Sequence, residues 1–417
     1  MKIYCSILLF ILSSKLFAQE SIVAVGDATV EKTKLSFSAE EDCNCINVTN
    51  IVRSDLSLYS HKIQMFDSDL AEIEQFDYEF KLSKITVDKK FQLNFKSRTS
   101  PDEKVFFDDN SDLDARKISH EISDFIFKKI FQKDSIFKSK IYYISDAGIN
   151  KNGKKGKQLF VMDFDGENIK QLTFHNGYVF SPGISSDGKL AVYSVILNDG
   201  DKKNVDLYLL DIEKKESKIL SNFKGINSGA VFMPGDKEII LTLTHSGNAE
   251  LYKLNLESKN LFPLTRHFSS DVDPSISSDG KMVTFLSTRP GKPMIYTLNP
   301  EKTEFEIKRI SYVGEYNATP RFSPDGKIIV FSSWLDNQFD LFRLDRSGMN
   351  LVRLTKDHGS NEEPSFSPDG EFIVFSSQKI LSETQDVKNL YIMTQDGEII
   401  RKLSSILGKA EAPVWSK

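Results

Sequence analysis

Polar side chains and tyrosines recur in short segments, all but one of which precede a repeated proline. The candidate residues are His175, Asn176, Tyr178, Asn227, Ser228, Asp271, Asp273, Tyr316, Asn317, Thr319, Asn361, Glu362 and Glu363. Hydrogen-bonding groups interleaved with tyrosine on a rigid scaffold are suited to capturing a protein or a peptide. The carboxylates among them could also hold a cation.

The sequence lacks the motifs that common catalytic mechanisms require. It contains no G-x-S-x-G nucleophile elbow, no H-E-x-x-H metal motif and no phosphate-binding glycine loop. Its 6 histidines are scattered along the chain, and no two of them stand at metal-binding spacing. We therefore predict a protein that is not an enzyme, with no catalytic residue, no metal site and no cofactor.

The proline that follows these segments opens the motif P-x-[FI]-S-x-D-G-K, which returns about every 46 residues and begins with Ala in one degenerate copy. The copies are Pro182–Lys189, Pro274–Lys281, Pro320–Lys327, Pro364–Glu371 and a degenerate Ala230–Lys237. A period in the forties that is filled with short strands and turns is typical of a β-propeller. The Asp-Gly pairs are predicted to form hairpin turns between the first two strands of each blade.

Three further strand patterns give the number of blades. An apolar strand after each Asp-Gly turn, an [LI]-[YF]-x-[LM] strand and a short [LI]-[TS] strand each occur six times between residues 139 and 417. The proline strand has only five copies before the C-terminus, and Pro413–Ser416 is predicted to be the sixth. We predict a six-bladed propeller over residues 139–417, which the last strand of the chain closes so that no sheet edge stays open.

The chain before the propeller divides into two predicted parts. Residues 1–18 have the pattern of a secretory signal peptide, with Lys2 ahead of the apolar run Ile7–Leu12 and a small-residue cleavage site at Ala18. Residues 19–138 lack the period, and their alternating and helical patterns predict a small α/β domain. The chain is therefore expected to be exported.

Composition limits the partners of the exported chain. The net charge is −5 for the whole sequence and −7 without Lys2 and Lys15 of the signal, which argues against nucleic acid, and no apolar run after the signal is long enough to cross a membrane. Cys43 and Cys45 form a C-x-C pair that we interpret as two local thiols or one local disulfide without a role in function. A monomer is expected.

The chain resembles the TolB family of the Tol–Pal system over essentially its whole exported length. The residues that carry the resemblance are the helix segment Arg116–Asp124, the first propeller strand Phe137–Ser145, Leu159–Gly166 and the repeats. Where the family often has His-Asn-Gly, this chain has Ile226-Asn227-Ser228, so the histidine contact is not carried over.

The resemblance implies a function in binding. In the family, the propeller mouth holds the lipoprotein Pal and the extreme N-terminus binds the inner-membrane protein TolA. The thirteen residues named first would then contact Pal. The segment that would bind TolA contains Glu20, Ile22, Val23, Val25 and Asp27. Its alternating pattern suits strand addition to a partner's sheet.

Two other functions stay open on the sequence. The main interpretation is a periplasmic adaptor that supports outer-membrane integrity and invagination during cell division. The first alternative is an exported peptide- or ligand-binding propeller related to the accessory domains of prolyl peptidases. The second is a propeller enzyme with a cation in its channel, such as a lactonase, which would need acidic and amide groups converging inside the ring.

Overall fold

The computed structural model describes residues 31–40, 45–66, 76–85, 88–98, 100–108, 111–197, 204–302, 306–382, 385–403 and 408–417. The predicted signal peptide lies outside the described residues, as do Glu20, Ile22, Val23, Val25, Asp27 and Cys43. Cys45 is described, is buried and is disulfide-bonded. No helix in the described ranges is long and apolar enough to span a membrane.

The N-terminal part is a five-stranded sheet with two helices. Its elements are β1 (Thr33–Ala39), α1 (Ile46–Ser57), β2 (Ile63–Phe66), β3 (Tyr78–Ile85), β4 (Lys90–Ser97), β5 (Ser100–Asp108) and α2 (Ser111–Phe131). The strand order is β2-β1-β3-β4-β5, with β1 parallel to both neighbours and the last three strands antiparallel. The α/β class predicted from the sequence is confirmed.

Alternation places the apolar residues of this sheet in one core with the helices. Phe80 and Leu82 of β3 face Phe95 and Leu93 of β4 in register, and all four are buried. They share the core with residues spaced three or four apart on the helices, namely Val48, Val52, Leu56, Ile118, Ile122 and Ile126.

Six four-stranded sheets follow, and they confirm the predicted six-bladed propeller. The strands of each blade are given from the innermost outward. Blade two is β9 (Gly177–Ile184), β10 (Leu190–Leu197), β11 (Val205–Asp211) and β12 (Glu216–Ser221), and blade three is β13 (Asn227–Phe232), β14 (Glu238–Leu243), β15 (Glu250–Asn255) and β16 (Leu261–Pro263). Blade four is β17 (Asp271–Ile276), β18 (Val283–Ser287), β19 (Met294–Leu298) and β20 (Lys308–Arg309), blade five is β21 (Tyr316–Phe322), β22 (Ile328–Leu335), β23 (Gln338–Asp345) and β24 (Val352–Arg353), and blade six is β25 (Ser360–Phe366), β26 (Phe372–Ser382), β27 (Gln385–Thr394) and β28 (Ile399–Lys402).

The first blade is closed by the end of the chain, as the sequence predicts. It consists of β29 (Ala410–Ser416), β6 (Lys140–Ile149), β7 (Lys155–Asp163) and β8 (Lys170–Gln171). β29 is antiparallel to β6, with Trp415 opposite Ile141 and Val414 opposite Tyr142. Residues more than 260 positions apart therefore pair in one sheet, and the ring has no open blade.

The S-x-D-G motif is a hairpin turn that a side-chain hydrogen bond stabilises. In four of the repeats the serine Oγ donates to the aspartate Oδ1 at 2.6–2.7 Å, as Ser185 does to Asp187. The same aspartate oxygen accepts the backbone N–H two residues on, and the glycine between them has a positive φ of 69–77°. The motif is structural, which explains its repetition.

The N-terminal part packs on the propeller face that carries these turns. The Tyr59 hydroxyl donates to Asp369, and Lys62 pairs with Glu371, both in the Asp-Gly turn of the sixth blade. His120 lies between two carboxylates: its Nδ1 is 2.9 Å from Asp55 Oδ2, and its Nε2 is 3.5 Å from Oδ2 of Asp165 in the turn after β7. The opposite face, where the segments between blades lie, is not covered by the described N-terminal residues.

His120 should make stability depend on pH. Burial disfavours the charged imidazole, but its interactions with Asp165 and Asp55 outweigh burial and raise its pKa from 6.5 to about 9. The folded protein therefore holds this proton more tightly than the unfolded chain. The resulting stabilisation is complete below pH 6.5 and is lost as the pH rises through about 9.

The variant His120→Gln tests this. The unfolding free energy of the unsubstituted protein should exceed that of the variant by an amount that shrinks by about 3 kcal/mol between the two pKa values. Urea unfolding at a series of pH values measures it. Parallel stability curves for the two proteins would show that His120 is not charged at the interface.

Candidate functional site: the propeller mouth

All six inner strands bend at the same point near the mouth, the channel opening on the face with the segments between blades. One residue per strand has a positive φ of 47–59°, and each lies at a shift in the pairing register with the second strand. These residues are Ser181, Gly229, Asp273, Thr319, Glu363 and Ala412, five of them followed directly by proline. The ring of β-bulges places Asp273, Thr319 and Glu363 around a cavity of about 250 Å³.

Four of the predicted contact residues stand at the first or second position of their inner strands and are buried. Asn227, Asp271, Asn317 and Asn361 are each 0% exposed. In the structure these four side chains therefore do not reach the surface of the mouth.

These buried side chains instead hold neighbouring segments of the mouth face in place. Asn227 accepts from Ser221 Oγ at 2.6 Å and donates to the Phe223 carbonyl at 2.7 Å. Asn317 donates to the Val313 carbonyl at 2.8 Å. Asp271 accepts two hydrogen bonds from the Arg289 guanidinium, at 2.9 and 2.7 Å. Short polar side chains recur at this position because the neighbouring backbone groups need partners away from water.

The remaining predicted residues reach the surface of the mouth to different degrees. Asn176, Tyr178 and Tyr316 are exposed, while His175, Ser228, Asp273, Thr319, Glu362 and Glu363 are partly buried. Burial and the nearby Lys151 lower the pKa of His175 to about 4, and its Nε2 lies 3.0 Å from the Tyr193 hydroxyl. The imidazole is therefore neutral at physiological pH.

The structure adds a feature that the sequence analysis missed, which we call the apolar crown. Of the 20 large hydrophobic side chains that are exposed in the described residues, 12 lie on the mouth face: Ile149, Phe174, Tyr178, Ile196, Phe223, Ile226, Phe268, Tyr312, Tyr316, Trp334, Ile380 and Leu381. Phe268 is 88% exposed and Tyr312 is 72% exposed. An aromatic residue two to four positions after the [LI]-[TS] leucine or isoleucine, as at Phe174, Phe223, Phe268 and Tyr312, was the available signal.

The acidic residues of the mouth are already neutralised by lysines of the chain itself. Lys388 Nζ lies 3.3 Å from Glu363, 3.6 Å from Glu362 and 3.8 Å from Glu411, and Lys157 pairs with Glu411 from the other side. Burial disfavours the charged ammonium, but the three carboxylates outweigh it and raise the pKa of Lys388. An ammonium thus occupies the position that a cation would take among these carboxylates.

One group of metal-ligand types does occur in the described residues, at the domain interface and not in the channel. It consists of Asp55, His120 and Asp165, whose ligand atoms lie within 4.8 Å of one another. The imidazole stands between the two carboxylates, and Arg116 also pairs with Asp165. These groups are thus paired with one another as a charged hydrogen-bond network.

Comparisons with known proteins agree with the fold. A curated relative from Francisella tularensis subsp. holarctica (strain OSU18), named Tol-Pal system protein TolB, is 28% identical over 220 residues. That stretch is 52% of this chain and 49% of the relative, so the match spans about half the length of either.

Two solved structures are similar to this one. The crystal structure of TolB from Acinetobacter baumannii superposes with a TM-score of 0.73 at 22% identity, over 93% of this chain and 97% of that one. A structure from Agrobacterium tumefaciens gives 0.51 at 19% identity, over 66% and 91%. Residues 127–417 match the protein family described as the TolB beta propeller domain. Because that match covers more than half of the sequence, the chain belongs to the TolB β-propeller family.

Proposed function

We propose that this protein is a non-enzymatic adaptor of the Tol–Pal system that works in the periplasm and binds the lipoprotein Pal at its propeller mouth. Family membership and the relatives named for the Tol–Pal system support the general assignment. When bound to Pal, the protein would contribute to the integrity of the outer membrane and to invagination of that membrane during cell division.

The observation that carries the Pal site is the apolar crown. Exposed apolar side chains that are concentrated on one face of a protein commonly mark a protein-binding surface, and aromatic residues dominate the energy of such interfaces. The crown surrounds partly buried polar groups such as Asp273, Thr319 and Glu362, which can set the specificity of the contact.

The position of the N-terminal part also favours the mouth as the binding surface. It contacts the turns of Asp369 and Asp165 on the opposite face, so a partner can reach the mouth without displacing it. Most interfaces of this kind form with little change in backbone structure. We further propose that the segment with Glu20, Ile22, Val23, Val25 and Asp27 binds TolA, on the family resemblance of the sequence.

A calorimetric titration with the soluble domain of Pal from the same organism tests the proposal. We expect saturable 1:1 binding that the double substitution Phe268→Ser/Tyr312→Ser weakens by roughly tenfold to a hundredfold, since each aromatic residue can contribute about 1 kcal/mol or more. The matched control is Ile219→Ser/Phe262→Ser, which removes exposed apolar side chains from outer strands of the propeller.

The control variant should bind Pal as the unsubstituted protein does. Equal weakening by both double variants would place the contact outside the mouth. Absence of binding at high protein concentration would contradict the adaptor function and favour a peptide- or ligand-binding propeller.

A further inference from the structure

The connection between β6 and β7 brings a group of positive charges to the mouth face of the first blade. We call residues 149–157 the basic hairpin, and its lysines are Lys151, Lys154, Lys155 and Lys157. The sequence has no acidic residue between Asp146 and Asp163. Neither the apolar crown nor the polar groups of the mouth include these lysines.

Hydrogen bonds fix the basic hairpin beside the apolar crown. The Asn150 side-chain oxygen accepts the backbone N–H groups of Asn152 and Lys154, both at 2.9 Å. The backbone N–H of Lys151 donates to the carbonyl of Phe174, a member of the crown, at 3.1 Å. Lys151 also adds to the effect of burial in lowering the pKa of His175. Its positive charge therefore acts on the mouth itself.

Three of the four lysines have no opposite charge to pair with in the part of the chain that the structure describes. Lys157 pairs with Glu411, whereas Lys151, Lys154 and Lys155 are exposed and make no ion pair there. With Asp146 and Glu411 of the same blade counted at −2, the four lysines at +4 leave +2. The neighbouring loop of residues 198–203, outside the described ranges, has two aspartates and two lysines and sums to zero.

We propose that the basic hairpin is the electrostatic docking element of the mouth and receives an acidic segment of the protein partner, an inference that rests on the proposed function. Unpaired ammonium groups at the rim of an interface attract carboxylates over about 10 Å at 0.1 M ionic strength. Charges in such a position act mainly on the association rate and its salt dependence, while buried apolar contacts act on the dissociation rate. The basic hairpin would thus speed the encounter that the apolar crown then stabilises.

An acidic protein segment fits this surface better than an anionic lipid surface does. Ile149 and Phe174, the apolar side chains beside the lysines, are 49% and 46% exposed. Side chains that are half covered by their own protein can pack against a partner, whereas anchoring in a bilayer requires an apolar face that enters it by about 5–10 Å.

The test measures the association and dissociation rates of the full exported chain with the soluble domain of Pal from low to high ionic strength. The variant Lys151→Gln/Lys154→Gln/Lys155→Gln removes the three unpaired charges. The matched control, Lys237→Gln/Lys281→Gln/Lys327→Gln, removes three exposed lysines from Asp-Gly turns of blades three to five. Both variants therefore have the same net charge, and only the place of the change differs.

We expect the hairpin variant to associate roughly tenfold more slowly at low ionic strength and as fast as the unsubstituted protein at high ionic strength. Its dissociation rate should stay unchanged, and the control should associate as the unsubstituted protein does. Binding of Pal with equal association rates for the two variants would overturn the docking role of the hairpin and leave Pal as the partner.

A second probe separates this result from the outcome for the proposed function. Deca-glutamate should bind the unsubstituted protein and the control at low ionic strength but not the hairpin variant, whether or not Pal binds. If Pal does not bind, the proposed function fails, and equal behaviour of deca-glutamate toward both variants would overturn the hairpin proposal as well. Hairpin-dependent binding to vesicles of phosphatidylglycerol, with no effect of the hairpin on either acidic probe, would also overturn it.

Discussion

Removal of residues 412–417 is expected to abolish the cooperative unfolding of the propeller. β29 is the inner strand of the first blade, and without it β6 becomes an open edge. The deletion also removes Trp415, which is buried against Phe372 and donates to Ser139 Oγ at 2.8 Å. Loss of one such aromatic side chain costs about 3–5 kcal/mol, a large part of the stability of a typical domain.

Denaturant unfolding followed by circular dichroism measures this effect. The truncated chain should unfold over a broad range of denaturant or aggregate through the free edge of β6, whereas the full chain should show a sharp transition. Deletion of Lys417 alone is the control, since this exposed residue follows the strand. A sharp transition at an unchanged midpoint in the 412–417 deletion would show that the stability of the propeller does not depend on closure of the ring by β29.

Substitution of Asp271 by alanine should destabilise the fold strongly, although the sequence pointed to this residue as a partner contact. Its carboxylate accepts two hydrogen bonds from Arg289, whose side chain is 14% exposed. Removing the carboxylate leaves the guanidinium largely buried without its partner, which costs about 3–5 kcal/mol. The midpoint of urea unfolding should fall accordingly.

Two further variants distinguish the loss of this buried ion pair from the loss of any ion pair near the mouth. Asp273→Ala breaks the ion pair with Arg321, in which both side chains are about a quarter to a third exposed, and should cost about 1 kcal/mol or less. Asp271→Ala/Arg289→Met should recover part of the loss, because no charge is then left buried. A loss for Asp271→Ala no larger than for Asp273→Ala would contradict the buried pair.

The propeller could be predicted from the repeats because each copy contains all the residues that form its turn and its strands. The Ser–Asp hydrogen bond, the glycine with positive φ and the alternating strands all operate within a few residues, so they are visible in the sequence. Ring closure followed from counting the strand families. The parallel pairing of β1 with β2 and β3 was not predicted, because it joins segments that have no turn between them.

The sequence predicted which segments form the candidate site but not which of their side chains are exposed, because exposure depends on contacts between separate segments. The neighbours Tyr316 and Asn317 both stand at the beginning of an inner strand, yet the first is exposed and the second is fully buried. The segment from the preceding blade folds over the side chain of Asn317 through the Val313 carbonyl and leaves Tyr316 uncovered. The contacts of His120 with Asp165 and of Tyr59 with Asp369 join residues far apart in the chain, and no periodic pattern marks them.

Amide hydrogen exchange of the protein with and without the soluble domain of Pal tests most directly whether a partner binds at the mouth. Exchange should slow in the segments between blades, residues 222–228, 264–271 and 310–317, because they carry Phe223, Phe268 and Tyr312. The Asp-Gly turns on the opposite face should exchange as before. Slower exchange confined to those turns or to the N-terminal sheet, with the segments between blades unchanged, would contradict a binding site at the mouth.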